Sequence, residues 1–192
     1  MNPRAHSAVH QRAFVIGALA LAGLVSVSPL SAQQRALRSP DVPYEPSPPE
    51  VVQAMLKLGQ IKSGNVVYDL GCGDGRVVIA AVKKLGARGV CVDIDPKRIA
   101  EARQNAAKAG VTERMRFLNQ DLFTTDFSDA DVVMLFLWPN VNLALRPKLQ
   151  KELKPGTRVV SHEHTMGDWK PEETLRITEG GHTHPVYLWT IR

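Results

Sequence analysis

Three glycines and a leading carboxylate within seven residues, Asp69 to Gly75 (DLGCGDG), are spaced to hold a small ligand against bare backbone. Glycines at 71, 73 and 75 let the chain turn sharply and leave no side chain between the turn and whatever it binds. The G-x-G-x-G spacing, led by an acid, differs from the G-x-G-x-x-G that receives a pyrophosphate in dinucleotide-binding folds. A leading carboxylate suits a ligand with a positive charge or an amino group. Two more acids stand in comparable places. Asp93 lies 24 residues after Asp69 at the end of an apolar run, and Asp121 follows the short run Met115 to Leu118. A carboxylate at the Asp93 position can accept both hydroxyls of a ribose. Asp95 directly precedes Pro96 and reads instead as a helix cap.

The elements that must position these groups follow from the hydrophobic pattern. Ser47-Pro48-Pro49-Glu50 has the form of a capping box with proline just inside the helix start, and that helix runs to about Leu58. Strands are expected at about 65–70, 89–92, 115–118, 132–137, 157–161, 174–178 and 185–191, with helices over about 75–85, 96–109 and 140–153. Val132 to Leu137 is unbroken in its apolar character, which implies burial on both faces. Gly180-Gly181 suits a hairpin between the last two strands. Strand alternating with helix and a terminal hairpin give an α/β fold: a Rossmann-like, doubly wound seven-stranded sheet with one antiparallel C-terminal strand. In such sheets ligands bind at the carboxyl ends of the strands, near the switch in strand order, where Asp69, Asp93, Asp121 and Trp138 all fall.

The acid-led glycine turn resembles the first motif of class I S-adenosylmethionine-dependent methyltransferases, and the strand order agrees over about Val51 to Arg192. The resemblance implies S-adenosyl-L-methionine as cofactor. It implies that Asp69 and the backbone of Gly71 and Gly73 face the methionine part, and that Gly75 permits close helix packing. Asp93 would take the ribose and Asp121 the adenine amino group, with Leu122 and Phe123 beside the ring. Three further stretches, Pro43 to Pro48, Leu137 to Leu143 and Leu153 to His162, resemble a narrower group. These are small bacterial relatives of the mitochondrial protein-lysine methyltransferases acting on membrane carriers and the ATP synthase c-ring, and more distantly the Dot1-type enzymes. That likeness implies a protein lysine amine as methyl acceptor and no specific nucleic acid. Phe136-Leu137-Trp138-Pro139-Asn140 also lacks the Asn/Asp-Pro-Pro-aromatic motif of enzymes that methylate base amines. No catalytic residue is assigned; Tyr44, Ser47, Trp138 and Asn140 are the acceptor-side candidates, with Ser47 as a helix cap and Trp138 as core the plainer alternatives. Few residues separate the fourth and fifth strands from their helices, so little material for a lid is expected. Rival functions are a small-molecule N-, O- or S-methyltransferase and an exported nucleotide-binding module without turnover.

His162 and His164 end the fifth strand, and His182 and His184 open the last. Alternate residues share a strand face, so four imidazoles could converge on zinc or copper or supply a base. A pair of hydrogen-bonded strand-end turns is the favoured reading of these histidines, and no metal is assigned. Cys72 and Cys91 read as small apolar core residues, although a disulfide between them is open.

The first 40 residues differ in kind. No acid occurs before Asp41, and Arg4 and Arg12 precede an apolar stretch from Ala13 to Val25, with small residues through Ser31-Ala32. That is the pattern of a secretory signal peptide over 1–32, with an uncleaved membrane anchor or an organellar transit peptide as alternatives. Residues 33–46, with Pro40, Pro43 and Pro46, read as an extended linker and 47–192 as the methyltransferase domain. The whole chain carries 24 − 19 = +5, spread without runs, a weak sign for nucleic-acid binding. Oligomeric state is not legible.

Overall fold

The computed structural model describes residues 37–192; the leader expected over 1–32 lies outside the described residues. Element order is α1 (Pro49–Leu58), β1 (Val66–Leu70), α2 (Arg76–Leu85), β2 (Arg88–Asp93), α3 (Pro96–Ala109), β3 (Met115–Asn119), β4 (Val132–Leu135), α4 (Pro139–Glu152), β5 (Arg158–His162), β6 (Glu173–Glu179) and β7 (His182–Thr190). The strands form one sheet in the order β3-β2-β1-β4-β5-β7-β6. Only β7 runs antiparallel, pairing with β5 on one side and β6 on the other. Gly180 and Gly181 both take positive φ, the backbone a tight two-residue hairpin requires.

Strand alternation divides the core into two layers. Tyr68 and Leu70 of β1 face one side, where Val141, Leu145 and Leu149 of α4 pack with Phe127 and Trp189. Val67 faces the other side, toward α1 and α2. All four residues of β4 are buried, as the uninterrupted apolar run requires. This strand ends at Leu135, two residues earlier than expected, because Phe136 and Leu137 bend away from the sheet to line a crevice. The order reverses between β1 and β4, so the carboxyl end of β1 lies at the switch point.

Cys72 and Cys91, read from sequence as small apolar residues, are joined by a disulfide with a Cα–Cα separation of 5.3 Å. The glycine turn folds back over β2, and the Gly71 and Cys72 amides both donate to the Val92 carbonyl (2.8 and 3.0 Å), which brings the sulfurs together. A cross-link over so short a loop restricts the unfolded chain and contributes about 3 kcal/mol. Reduction is therefore expected to lower the melting temperature by roughly 6–12 °C. Calorimetry with and without a phosphine reductant checks it, and a Cys91→Ala variant should melt with the reduced form.

Candidate functional site

The crevice beside the switch point encloses about 960 Å³, mouth included. Its floor is the glycine turn. Gly71 and Gly73 have φ of 81° and 53°, which an L side chain rarely adopts. A Cβ at residue 71 would lie 2.7 Å from a methyl of Leu137, and one at 73 would lie 2.4 Å from the Tyr44 ring. At Gly75 a Cβ would approach Ala102 of α3 at 3.1 Å, the close helix packing that the resemblance implied.

Asp69 is only 4% exposed. One of its carboxylate oxygens, Oδ2, is buried without any hydrogen-bond partner among the described residues. Burial pushes its carboxyl up to about 7, against an opposing backbone hydrogen bond from Val78. A buried carboxylate oxygen with no partner is costly unless a ligand supplies one. An ammonium group is the natural complement. Asp93, at the tip of β2, accepts from the Gly73 amide through Oδ2 and from the Asp95 amide through Oδ1, both at 2.9 Å. Burial raises its carboxyl, and those two amides pull against the rise. It thus fixes the turn while its remaining lone pairs face the crevice. Asp95 caps α3, accepting from the Lys97 amide at 2.8 Å.

Asp121 is held by the Arg38 guanidinium, whose Nε donates to Oδ2 at 2.6 Å and whose Nη2 donates to Oδ1 at 3.1 Å. That pair, helped by the Phe123 amide, holds the Asp121 carboxyl below its usual range. Leu122 lines the crevice; Phe123 does not, lying under the Arg38 guanidinium at 5.5 Å instead.

Arg38 belongs to the stretch read from sequence as a linker, and this stretch from Arg38 to Ser47 supplies one wall of the crevice. The sequence alone predicts little material for a lid after β4 and β5, and the cover comes instead from the N-terminal side. The strap is clamped at several points. Arg98 stacks over the Tyr44 ring at 4.5 Å, and Arg76 Nη1 donates to the Ser47 carbonyl at 3.1 Å. Asp74 holds Arg76 in turn; burial opposes its charge, but the Arg76 hydrogen bonds outweigh that and keep its carboxyl below the usual range.

Of the acceptor-side candidates, Tyr44 and Ser47 line the crevice. Ser47 makes no cap bond to α1; its hydroxyl is buried and pairs with His162 Nδ1 at 2.9 Å. Trp138 and Asn140 stand outside the lining, at the exposed start of α4, while their neighbours Leu137 and Val141 line it. Trp138 is 47% exposed. Arg38, Arg98 and Gln120 also line the site. No spacing in the sequence marks them, because each reaches the crevice through tertiary packing.

The four imidazoles do not converge as a set: His162 and His184 meet beside Glu163, and His182 reaches only the Glu163 carboxylate. Glu163 takes a left-handed φ of 61°, which breaks strand alternation just after β5. Its carboxylate turns toward His182 and His184, and His164 leaves that group to lie near the Phe136 ring.

An unpaired acid, bare backbone and a second acid at the next strand tip thus line one crevice, whereas Asp121, to which the resemblance assigns the adenine, is occupied by Arg38. The profile of the ANTKMT methyltransferase domain matches residues 69–173. The chain is 48% identical over 153 residues to a protein-lysine N-methyltransferase of Saccharolobus islandicus, covering 79% of this chain and 95% of that one. It is 34% identical over 158 residues to an ATP synthase c-subunit lysine N-methyltransferase of Xenopus laevis, covering 82% and 68% respectively. A crystal structure of an RNA methyltransferase from Salinibacter ruber in complex with S-adenosyl-L-homocysteine superposes with a TM-score of 0.73 at 49% identity, covering 77% of this chain and 94% of that one.

Proposed function

This chain belongs to the ANTKMT family of S-adenosylmethionine-dependent methyltransferases, and from that premise we propose that its methyl acceptor is the side-chain amine of a protein lysine. The observation that carries the reading is the charge of the crevice. Seven carboxylates line it against three guanidiniums. Such a mouth attracts a cationic side chain and repels a polyanion. The same observation weighs against RNA as acceptor, although one similar structure carries that description.

When bound, S-adenosylmethionine supplies an activated methyl group, so the protein has mainly to align an in-line attack and exclude water. Asp69 would hold the cofactor's ammonium and Asp93 its ribose, and the strap from Arg38 to Ser47 would close over both. Asp121 would reach the adenine amino group only by sharing or releasing Arg38. Trp138, exposed at the rim beside Leu137, would support the aliphatic stem and ammonium of the incoming lysine.

The test offers labelled S-adenosylmethionine with a lysine-rich protein, the same protein with its amines acetylated, and bulk tRNA. Label is expected in the unmodified protein, and acetylation should cut it by at least roughly tenfold, because an amide nitrogen has no free electron pair for attack. Equal label in the acetylated protein, or label mainly in tRNA, would overturn the lysine reading.

Export belongs to the same proposal. The leader pattern at the N-terminus and the Cys72–Cys91 disulfide both suit an oxidising compartment. N-terminal sequencing of native protein should find a start near Gln33; a start at Met1 or Asn2 would contradict cleavage.

A further inference from the structure

We propose that the adjoining ends of β5 and β7 form a divalent transition-metal site, zinc by preference, with His162 Nε2, Glu163 Oε1 and His184 Nδ1 as its three protein ligands. The inference is independent of which nucleophile accepts the methyl group. Its first support is the spacing of the donor atoms. Nε2 of His162 lies 3.1 Å from Nδ1 of His184, which lies 2.9 Å from Oε1 of Glu163; the third side of the triangle is 3.8 Å. Four ligands at ordinary zinc distances stand about 3.3 Å from one another in a tetrahedron. These separations bracket that value, and His182 Nε2, 3.1 Å from the same carboxylate oxygen, is an outer partner that steadies Glu163.

Protons alone serve the triangle poorly. His184 Nδ1 carries at most one hydrogen, yet it faces both a carboxylate oxygen and a second imidazole nitrogen within hydrogen-bond range. A cation satisfies all three lone pairs together. The outer contacts fit as well. His162 is fully buried, its ring against Phe136 at 3.9 Å, and its other nitrogen faces the Ser47 hydroxyl at 2.9 Å. With Nε2 on a metal, Nδ1 carries the proton and donates to Ser47, the outer hydrogen bond that ligating histidines usually make. His182, 66% exposed on its side chain, closes the solvent side.

The backbone is built to hold Glu163 in place. Its amide donates to the Pro185 carbonyl at 2.7 Å, and the next carbonyl, that of His164, accepts from Ser161 Oγ at 2.8 Å and from Asn142 Nδ2 at 3.2 Å. Glu163 pays for this with a left-handed φ of 61°, a strain that non-glycine residues tend to show at functional sites. Two imidazoles and one carboxylate select a borderline ion such as zinc over magnesium or calcium. The ion would tie β5, β7 and, through His162 and Ser47, the root of the strap into one unit.

The full chain, purified without a histidine tag, should retain about one zinc per molecule after equilibration and desalting, read by mass spectrometry of the metal, and its melting temperature should rise with zinc. Glu163→Gln and His184→Ala should each weaken zinc at least about 100-fold, more than loss of an outer partner usually costs. His182→Ala, a surface change that leaves folding intact, should weaken it measurably, and His164→Ala should not. Cobalt substitution should give the visible spectrum of a tetrahedral ion in the parent chain and in His164→Ala, and not in Glu163→Gln or His184→Ala. Failure to retain zinc, or retention unchanged in Glu163→Gln and His182→Ala, would overturn the site.

Discussion

Asp69→Asn is expected to weaken S-adenosylmethionine at least about 100-fold while making the ligand-free protein more stable at neutral pH. The two effects share one cause. Asp69 is buried, its Oδ2 has no partner among the described residues, and burial raises its carboxyl from an ordinary 3.8 to about 7. Because the folded value lies above the unfolded one, the native state holds more protons between those limits, and stability falls as pH climbs from about 4 to 7. A rise of that size corresponds to a cost on the order of 4 kcal/mol above pH 7. Asparagine is never charged and escapes that cost. It also forfeits the pairing with an ammonium, and removing one partner of a buried ion pair typically costs about 3–5 kcal/mol, or more than about 100-fold in affinity. Chemical denaturation at pH 5 and pH 8 should show the parent losing stability across the interval and the variant losing much less. Cofactor binding should also release protons. At pH 6 the free Asp69 is about nine-tenths protonated, and pairing with an ammonium drives that proton off, so uptake should release close to one proton; at pH 8 release should nearly vanish. Calorimetry in buffers of different ionisation enthalpy measures this. Release independent of pH, or a variant that binds as well as the parent, would remove Asp69 from the site.

The parts of this structure legible in the sequence are those governed by short-range patterns. The acid-led glycine turn, the cap at Asp95 and the Gly180-Gly181 hairpin each rest on a few adjacent residues and appear where the pattern places them, and the buried run of β4 does so up to Leu135. Seven strands and a doubly wound sheet follow from the same periodicities and the preference for right-handed crossovers, while the strand order is implied by the family resemblance. What was not legible depends on contacts between distant segments. Ser47 looks like a helix cap locally, and only the fold brings His162, 115 residues away, to its hydroxyl. Cys72 and Cys91 are ordinary core residues until the turn folds back on β2. Glu163 escapes any strand-alternation rule because its own backbone ends the alternation. The strap shows the same limit most plainly: prolines disclose that residues 40–46 are extended, but not what they lie against.

Tyr44→Ala is the second change expected to have a large effect, and it separates a wall that closes on the cofactor from a tail that merely lies nearby. The Tyr44 ring rests on the glycine turn, within 2.4 Å of where a Gly73 Cβ would stand, and is held from outside by Arg98 at 4.5 Å. It therefore shields the part of the turn that the methionine chain would occupy. Covering a ligand with an aromatic ring contributes roughly 1.5–3 kcal/mol of apolar burial, equal to about a 10- to 100-fold change in affinity. Most of that loss should appear as faster dissociation, with association unchanged or faster, because an obstructing wall slows both directions. Tyr44→Phe keeps the ring and gives up the hydroxyl's contacts with Arg76, at 3.5 Å, and with the Asp74 carboxylate, both outside the ring's cover of the turn, so it should bind almost as the parent does. Arg38→Ala adds a second reading of the same wall. It removes the guanidinium that occupies both oxygens of Asp121, freeing an acceptor for the adenine amino group while unfastening the outer end of the strap. Association should then speed up, and its dependence on salt should diminish, since the pair that must part before entry is ionic and its guanidinium partly exposed. Stopped-flow binding of S-adenosylhomocysteine at two ionic strengths resolves these rates. If Tyr44→Ala changed neither rate, the strap would be a bystander and cofactor retention would rest on the glycine turn and the two strand-tip acids alone.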